Sequence, residues 1–199
     1  MIVNLFLEGA LEEHVAVRLL SHFGHSPGDV YGKRGCEYLR RTAYKFHGLV
    51  KSGVPMLVLT DFKDAKVECI PEARHEYFVK YIAELSKLFV FRFAVMEIES
   101  WIMADRIGFS QYFGINVSRL PDELDAVLEP KSFIVQLASH SRKRNVKRMI
   151  IPDGDHGGKV ASGYNSLLAR FIYEKWNVEE ACNHSTSLAR CAYHLRELK

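Results

Sequence analysis

Residues 2–8 read IVNLFLE, a short apolar run that ends on an acidic residue. The same pattern recurs at residues 54–61, which read VPMLVLTD, and at residues 88–97, which read LFVFRFAVME. Short, largely unbroken runs rich in β-branched and aromatic residues are typical of strands buried on both faces of a sheet. Helical patterns separate the runs, so we expect parallel strands and an α/β fold.

The acidic residues that close these runs are Glu8, Asp61 and Glu97. Parallel strands place their carboxyl ends at one edge of the sheet, where open α/β folds bind ligands. Three carboxylates at that edge would repel one another unless a cation lay among them. The pattern therefore predicts a Mg²⁺ or Mn²⁺ site in which Glu8, Asp61 and Glu97 are the catalytic candidates and also metal ligands.

Two further acids lie close in sequence to this predicted site. Glu12 follows Glu8 by four residues and would share a helix face with it if the helix began near Glu8; the alternative is an ordinary acid in the first helical turn. Asp64 follows Asp61 in a loop and is a further candidate metal ligand, although aspartate in such a loop is often only a turn former.

The stretch over residues 97–105 predicts a helix that is apolar on most of its surface. Glu97, Trp101 and Asp105 would share one face of this helix. We expect Glu97 or Glu99 to be partly buried, and a buried carboxylate needs a cation, an arginine or several N–H donors. Glu99 is therefore a candidate metal ligand, and the alternative is a structural ion pair with an arginine.

The remaining pattern divides the chain into a core over residues 1–106 and a helical extension over residues 107–199, which we expect to pack on that core. Between the acid-ending strands we predict one more short strand at residues 29–31 and helices over 11–23, 37–50 and 71–87. In the second part we predict helices over residues 122–128, 131–149, 163–176 and 185–198.

The formal net charge of +3 is too small to indicate a nucleic-acid partner by itself, so the clustering of basic residues has to carry that argument. Five of the seven residues over 142–148 are Lys or Arg. Such a run fits the phosphates of a nucleic acid, and the alternative is a solvated helix face. The candidate nucleic-acid-binding residues are Lys63, Arg142, Lys143, Arg144 and Lys147.

The four cysteines have no zinc-ligand or disulfide-framework spacing, and we expect them to be reduced thiols. No apolar run is long enough to span a membrane, and the first run lacks the basic start and cleavage site of a signal peptide. These features predict a cytoplasmic protein without a membrane partner.

Several motifs together resemble a known family. The pattern Glu8-Gly9-x-x-Glu12 after the first strand and the acid-bearing loop at Asp61 resemble the Toprim fold. The block over residues 96–105 is similar to one found in a narrower bacterial Toprim-like family, known as domain of unknown function 4276. Further blocks that carry this resemblance are Glu129-Pro130-Lys131, Gly163-Tyr164-Asn165 and Ser187-Leu188-Ala189-Arg190.

The resemblance implies a metal-dependent phosphodiester site, as in a nuclease, with Glu8 as general acid or base. It also implies a setting in bacterial defence and an ATPase partner. Toprim enzymes hold magnesium with an Asp-x-Asp pair, but here Lys63 occupies the second acidic position and the next acid is Asp64. This departure leaves an alternative open: a Toprim-like module with a degraded metal site that binds nucleic acid or an ATPase.

Overall fold

The computed structural model describes residues 1–51, 53–63, 72, 87–152 and 159–198. The chain divides into two compact units, one of residues 1–95 with 190–199 and the other of residues 96–189. The division falls near residue 96 and not after residue 106, because the helix after the last strand makes its contacts with helices that follow it. The predicted helix over residues 71–87 lies almost wholly outside the described residues.

The first unit contains a four-stranded sheet with the strand order β2-β1-β3-β4. All three pairs of neighbouring strands are parallel, which confirms the predicted α/β fold. The strands are β1 (Ile2–Leu7), β2 (Ser26–Gly32), β3 (Met56–Asp61) and β4 (Phe89–Ala94). The helices α1 (Ala10–His22) and α2 (Gly35–Lys51) connect the first three strands.

The apolar runs are unbroken because β1 and β3 are buried on both faces. Phe6 and Val58 pack with Leu39 of α2 on one face of the sheet. Successive side chains of a strand point to opposite faces, so Leu5 and Leu7 point to the other face. All four of these strand side chains are fully buried. Burial on this scale, roughly 1.5–3 kcal/mol for each large side chain, fixes the register of the two central strands.

The strand order creates a switch point between β1 and β3. The chain first moves from β1 to β2 on one side, and then crosses to β3 on the other side of β1. In open α/β sheets, ligands bind in the crevice outside the carboxyl ends of the strands at such a point. The residues that follow β1 and end β3 are Glu8 and Asp61.

The second unit is built from helices, as predicted for the C-terminal part of the chain. They are α3 (Ile98–Ala104), α4 (Arg106–Phe113), α5 (Pro130–Ser139), α6 (Arg144–Ile150), α7 (Tyr164–Glu174) and α8 (Val178–Cys182). The next helix, α9 (Thr186–Arg196), crosses the boundary into the first unit. Short 3₁₀ turns occur at Val117–Arg119 and Leu124–Ala126.

Two of the predicted helices are wrong in extent. The helix predicted over 131–149 is two helices, because the Ser141 hydroxyl donates to the Phe113 carbonyl and the Arg142 N–H donates to the Gly114 carbonyl (2.8 Å). These bonds tie the chain to the end of α4 and interrupt the helical ladder. The helix predicted over 122–128 is reduced to the 3₁₀ turn at Leu124–Ala126.

Within the described ranges, none of the helices combines the length and the apolar content that crossing a bilayer requires.

Candidate functional site

Glu8 lies at the carboxyl end of β1, at the switch point of the sheet. One of its carboxylate oxygens, Oε2, accepts hydrogen bonds from the Thr60 hydroxyl (2.5 Å) and from the Asp61 N–H (3.2 Å). Thr60 is fully buried in β3, so its hydroxyl is a fixed donor. The structure therefore places the Asp61 backbone beside the Glu8 carboxylate, which two donors of the neighbouring strand orient.

The loop after β2 is fastened to the same end of β1. The Lys33 N–H donates to the Leu7 carbonyl (2.7 Å), and the Gly35 N–H donates to the Glu8 carbonyl (3.1 Å). Gly32 has a φ of +92°, and a Cβ at this position would lie 2.2 Å from the Leu7 carbonyl oxygen. Only glycine fits there, so it allows this loop to approach Glu8 closely.

Glu12 does not share a helix face with Glu8, because α1 begins at Ala10 and Glu8 lies before it. The Glu12 side chain instead folds back over Gly9, where a Cβ would lie 2.8 Å from Glu12 Oε2. Glu12 is nearly buried and occupies the third position of the helix. A side chain larger than hydrogen at residue 9 would therefore displace the Glu12 carboxylate from this position.

Asp61 is the last residue of β3 and pairs with Ala94 of β4 in the sheet register. Lys63, two residues after Asp61, is partly buried, and Asp64 lies outside the described residues. Among the residues that the structure describes, no three His, Cys, Asp or Glu side chains are grouped so as to hold a metal ion. Glu8 and Asp61 are the described acids at the ends of β1 and β3, and the Asp61 N–H donates to the Glu8 carboxylate.

Glu97 and Glu99 belong to the second unit. Glu97 has an extended backbone (φ −141°, ψ 157°) and precedes α3. The prediction that Glu97 shares a helix face with Trp101 and Asp105 is therefore wrong. Glu97 Oε2 accepts the Lys131 N–H (2.9 Å) in the first turn of α5. Its carboxylate therefore lies at the N-terminus of α5, where the helix dipole stabilises negative charge.

Glu99 is more deeply buried than Glu97, and only 1% of its side chain is exposed. Its Oε1 accepts the Tyr164 hydroxyl (3.2 Å), and the Lys131 ammonium lies 3.5 Å from the same oxygen. Burial raises the pKa of the Glu99 carboxyl, and the charge of Lys131 partly opposes this shift. Burial, with the nearby charge of Glu99, also raises the pKa of Tyr164. The arrangement matches the structural ion pair left open above, with a lysine in place of the arginine.

The resemblance blocks of the second unit contact one another. Lys131 and Tyr164 converge on Glu99. The Trp101 indole N–H donates to the Ser187 hydroxyl (2.6 Å), which in turn donates to Asp125 Oδ1 (3.0 Å). These blocks are distant in sequence but adjacent in the fold.

Asp105 lies at the junction between α3 and α4. Its carboxylate accepts hydrogen bonds from the Gly108 N–H (3.0 Å) and the Asn177 N–H (2.9 Å). Burial raises the pKa of Asp105, and the two backbone donors oppose that shift. The side chain therefore fixes two chain segments of the second unit, and this explains why an acid follows the apolar helix α3.

The basic residues over 142–148 do not all have the same environment. The Lys143 ammonium donates to the carbonyls of Gln111 (3.1 Å) and Tyr112 (2.8 Å) at the C-terminal end of α4, where cations stabilise a helix. Lys143 is therefore already bound within the protein. The other basic residues of the run, Arg142, Arg144, Lys147 and Arg148, are also exposed, and no ion pair engages them within the described part of the chain.

Sequence reasoning missed Thr60 and Lys131 as partners of Glu8 and Glu99. Thr60 is the one polar residue of its apolar run before the terminal acid, which was an available signal. Lys131 belongs to one of the resemblance blocks, but nothing in its local sequence pairs it with Glu99.

No protein-family model, curated protein or solved structure matches this chain.

Proposed function

We propose that this protein is a metal-dependent phosphodiester-processing enzyme, such as a nuclease, that acts at the carboxyl ends of β1 and β3. The observation that carries the proposal is the Glu8 carboxylate held by the Thr60 hydroxyl and the Asp61 N–H at the switch point. Ligands of open α/β sheets bind at this position. Two acids that are 53 residues apart in sequence share this edge of the sheet.

The residues at this edge fit magnesium or manganese better than zinc. Magnesium keeps several water molecules and needs one or two carboxylates with the substrate phosphate, which Glu8 and Asp61 can provide. Zinc sites use three or four protein ligands, and no such group exists among the described residues. When bound, the metal stabilises the negative charge that develops on the phosphate oxygens.

Glu8 acts as the general acid or base in this proposal. Thr60 and Asp61 hold one oxygen of its carboxylate, so the side chain has a fixed orientation toward a reacting hydroxyl or water. Thr60 is a positioning residue because it acts through Glu8. Asp61 is the second metal ligand. Glu97 and Glu99 are not assigned to the metal, since Lys131 engages both of them.

Backbone strain at the same edge gives further support. Lys33 follows β2 directly and has a φ of 58°, which is unfavourable for a residue with a Cβ. Its ammonium forms an ion pair with Glu13 (2.9 Å). Strained residues of this kind cluster at functional sites.

The resemblance to Toprim proteins rests partly on the same residues, since Glu8, Gly9 and Asp61 carry its first two motifs. In Toprim enzymes the glutamate of the first strand acts as general acid or base. On the basis of this resemblance, the proposal includes action on nucleic acid in the cytoplasm. It also includes a role in bacterial defence and an ATPase partner.

A second candidate function is binding without catalysis. Lys63 stands where the Asp-x-Asp pair would have its second acid, and the described residues contain no three-residue metal group. A module of this kind would bind nucleic acid or an ATPase through its surface and would not need Glu8.

The test measures cleavage of labelled single- and double-stranded DNA and RNA oligonucleotides with Mg²⁺, with Mn²⁺ and with a chelator. We expect cleavage only with metal, and Glu8→Gln should lower its rate about a hundredfold or more. The matched control is Glu197→Gln, an exposed glutamate of the same unit. It should cleave like the wild type.

Thermal unfolding of both variants separates loss of chemistry from loss of structure. Metal-independent cleavage, or equal cleavage by Glu8→Gln and the wild type, would contradict the proposal. Tight binding without cleavage under all metal conditions would support the binding module.

A further inference from the structure

An open pocket of about 460 Å³ lies at the C-terminal end of α4, within the second unit. Its volume is within the ~300–1,000 Å³ range of small-molecule sites. Ile115 and Val117 supply apolar surface, and Val117 is 40% exposed. The polar lining residues are Ser110, Gln111, Asn116 and Arg142, and Gly114 completes the lining.

Hydrogen bonds hold the two walls of this pocket together. The Arg142 N–H donates to the Gly114 carbonyl (2.8 Å), and the Ser141 hydroxyl donates to the Phe113 carbonyl (2.5 Å). Lys143 adds its two bonds to the end of α4. The pocket is therefore preformed, and a ligand would not have to order it.

The charge around the pocket favours an anion. Its lining residues lie between 110 and 117 and at 142, and the surrounding segments 106–121 and 130–152 contain no Asp or Glu, although the chain has 24 of them. An ordinary solvated helix face carries mixed charges, so the absence of acids argues against that alternative.

The helix α6 extends the basic surface that begins at Arg142. Val146 and Ile150 are its buried residues, Arg144 and Arg148 lie on the opposite side of the helix, and the exposed Lys147 lies on the flank next to the buried pair. Arg142 is two residues before the start of this helix and has an exposed side chain. Cations spaced along a helix in this way can follow successive phosphates of a nucleic acid.

We propose that this pocket receives an unpaired base of a single-stranded nucleic acid, while Arg142 and the basic side of α6 bind the adjoining phosphates. Ile115 and Val117 would contact the faces of the base, and the amides of Gln111 and Asn116 would bind its polar edge. Bases of a duplex are stacked and paired, so they cannot enter. The inference rests on the proposed function for the choice of nucleic acid, but it uses a different site.

The experiment measures fluorescence anisotropy of a labelled 12-nucleotide single strand at two salt concentrations, without divalent metal. Arg142→Gln and Asn116→Asp are the pocket variants; Asn116→Asp keeps the bond to the Ser118 N–H and replaces the amide donor by a carboxylate. Each should weaken binding about tenfold. The control is Lys175→Gln, an exposed lysine of the same unit, which should bind like the wild type.

Two further ligands separate base recognition from charge alone. A duplex of the same length and a strand of abasic nucleotides should both bind about tenfold more weakly than the single strand. Equal affinity for all three ligands, unchanged binding by both pocket variants, or no binding at all would overturn the inference. Binding is measured in Glu8→Gln as well, so this inference stands if single-strand binding persists while the cleavage assay fails.

Discussion

Glu8 and Glu99 have similar origins in sequence and different environments in the fold. Each lies at or just beyond the end of an apolar run, and each accepts a side-chain hydroxyl, from Thr60 and from Tyr164. Glu8 is partly exposed at a strand end, whereas Glu99 is buried against Lys131. An acid after a buried strand therefore indicates a position in the fold, and its surroundings decide whether it is available for chemistry.

The largest expected effect is a difference in cleavage rate between substitutions of Glu8 and of Glu99. Glu8→Gln should lower cleavage about a hundredfold or more and leave the free energy of unfolding nearly unchanged, because the amide can still accept from Thr60. Glu99→Gln should leave the cleavage rate of the folded protein unchanged. Cleavage kinetics and urea unfolding on the same preparations check both expectations. Loss of cleavage in a stable Glu99→Gln protein would remove the distinction.

Removing the cation beside Glu99 should have the next largest effect. Lys131→Met should lower the free energy of unfolding by about 2 kcal/mol, below the roughly 3–5 kcal/mol of a fully buried pair, because Lys131 is 37% exposed. Urea unfolding at neutral pH measures this change. Lys175→Met is the matched control and should have no measurable effect. The double variant with Glu99→Gln should recover most of the loss; a second, additive loss would show that Lys131 does not act through Glu99.

The hydroxyl of Tyr164 should contribute less than the ammonium of Lys131. Tyr164→Phe should lower the free energy of unfolding by about 1–2 kcal/mol, because a buried carboxylate loses a donor. Tyr173→Phe on the same helix is the control, since Tyr173 is 50% exposed. A double-mutant cycle with Glu99→Gln isolates the pair, and a coupling energy near zero would contradict the assigned contact.

The smallest expected effect is a pH dependence. Burial raises the pKa of Glu99 above its ordinary value of 4.5, so just above pH 4.5 the folded protein keeps a proton that the unfolded chain releases. The contribution of Glu99 to the free energy of unfolding therefore falls as pH rises through this window. The wild type should lose stability relative to Glu99→Gln between pH 4 and pH 7. Urea unfolding at several pH values checks the sign, and a rising difference would contradict it.

The sequence predicted the sheet well because its signals are local. Unbroken apolar runs such as residues 54–61 predicted strands, and β3 occupies most of that run. The second unit was predicted less well. The helix over 131–149 is interrupted because Ser141 and Arg142 bond to residues near 113, a contact that no local pattern records. The role of Lys143 was missed for the same reason, since its partners are 31 and 32 residues away.

The amino-acid sequence by itself determined the parallel sheet, the order of its strands and helices, and the acids Glu8 and Asp61 at strand ends. These follow from hydrophobic periodicity and from residues that terminate a run. Only the tertiary structure decided that the Thr60 hydroxyl orients Glu8 and that Lys131 and Tyr164 surround Glu99. Such contacts join residues between 32 and 65 positions apart, and they depend on packing that no single segment specifies.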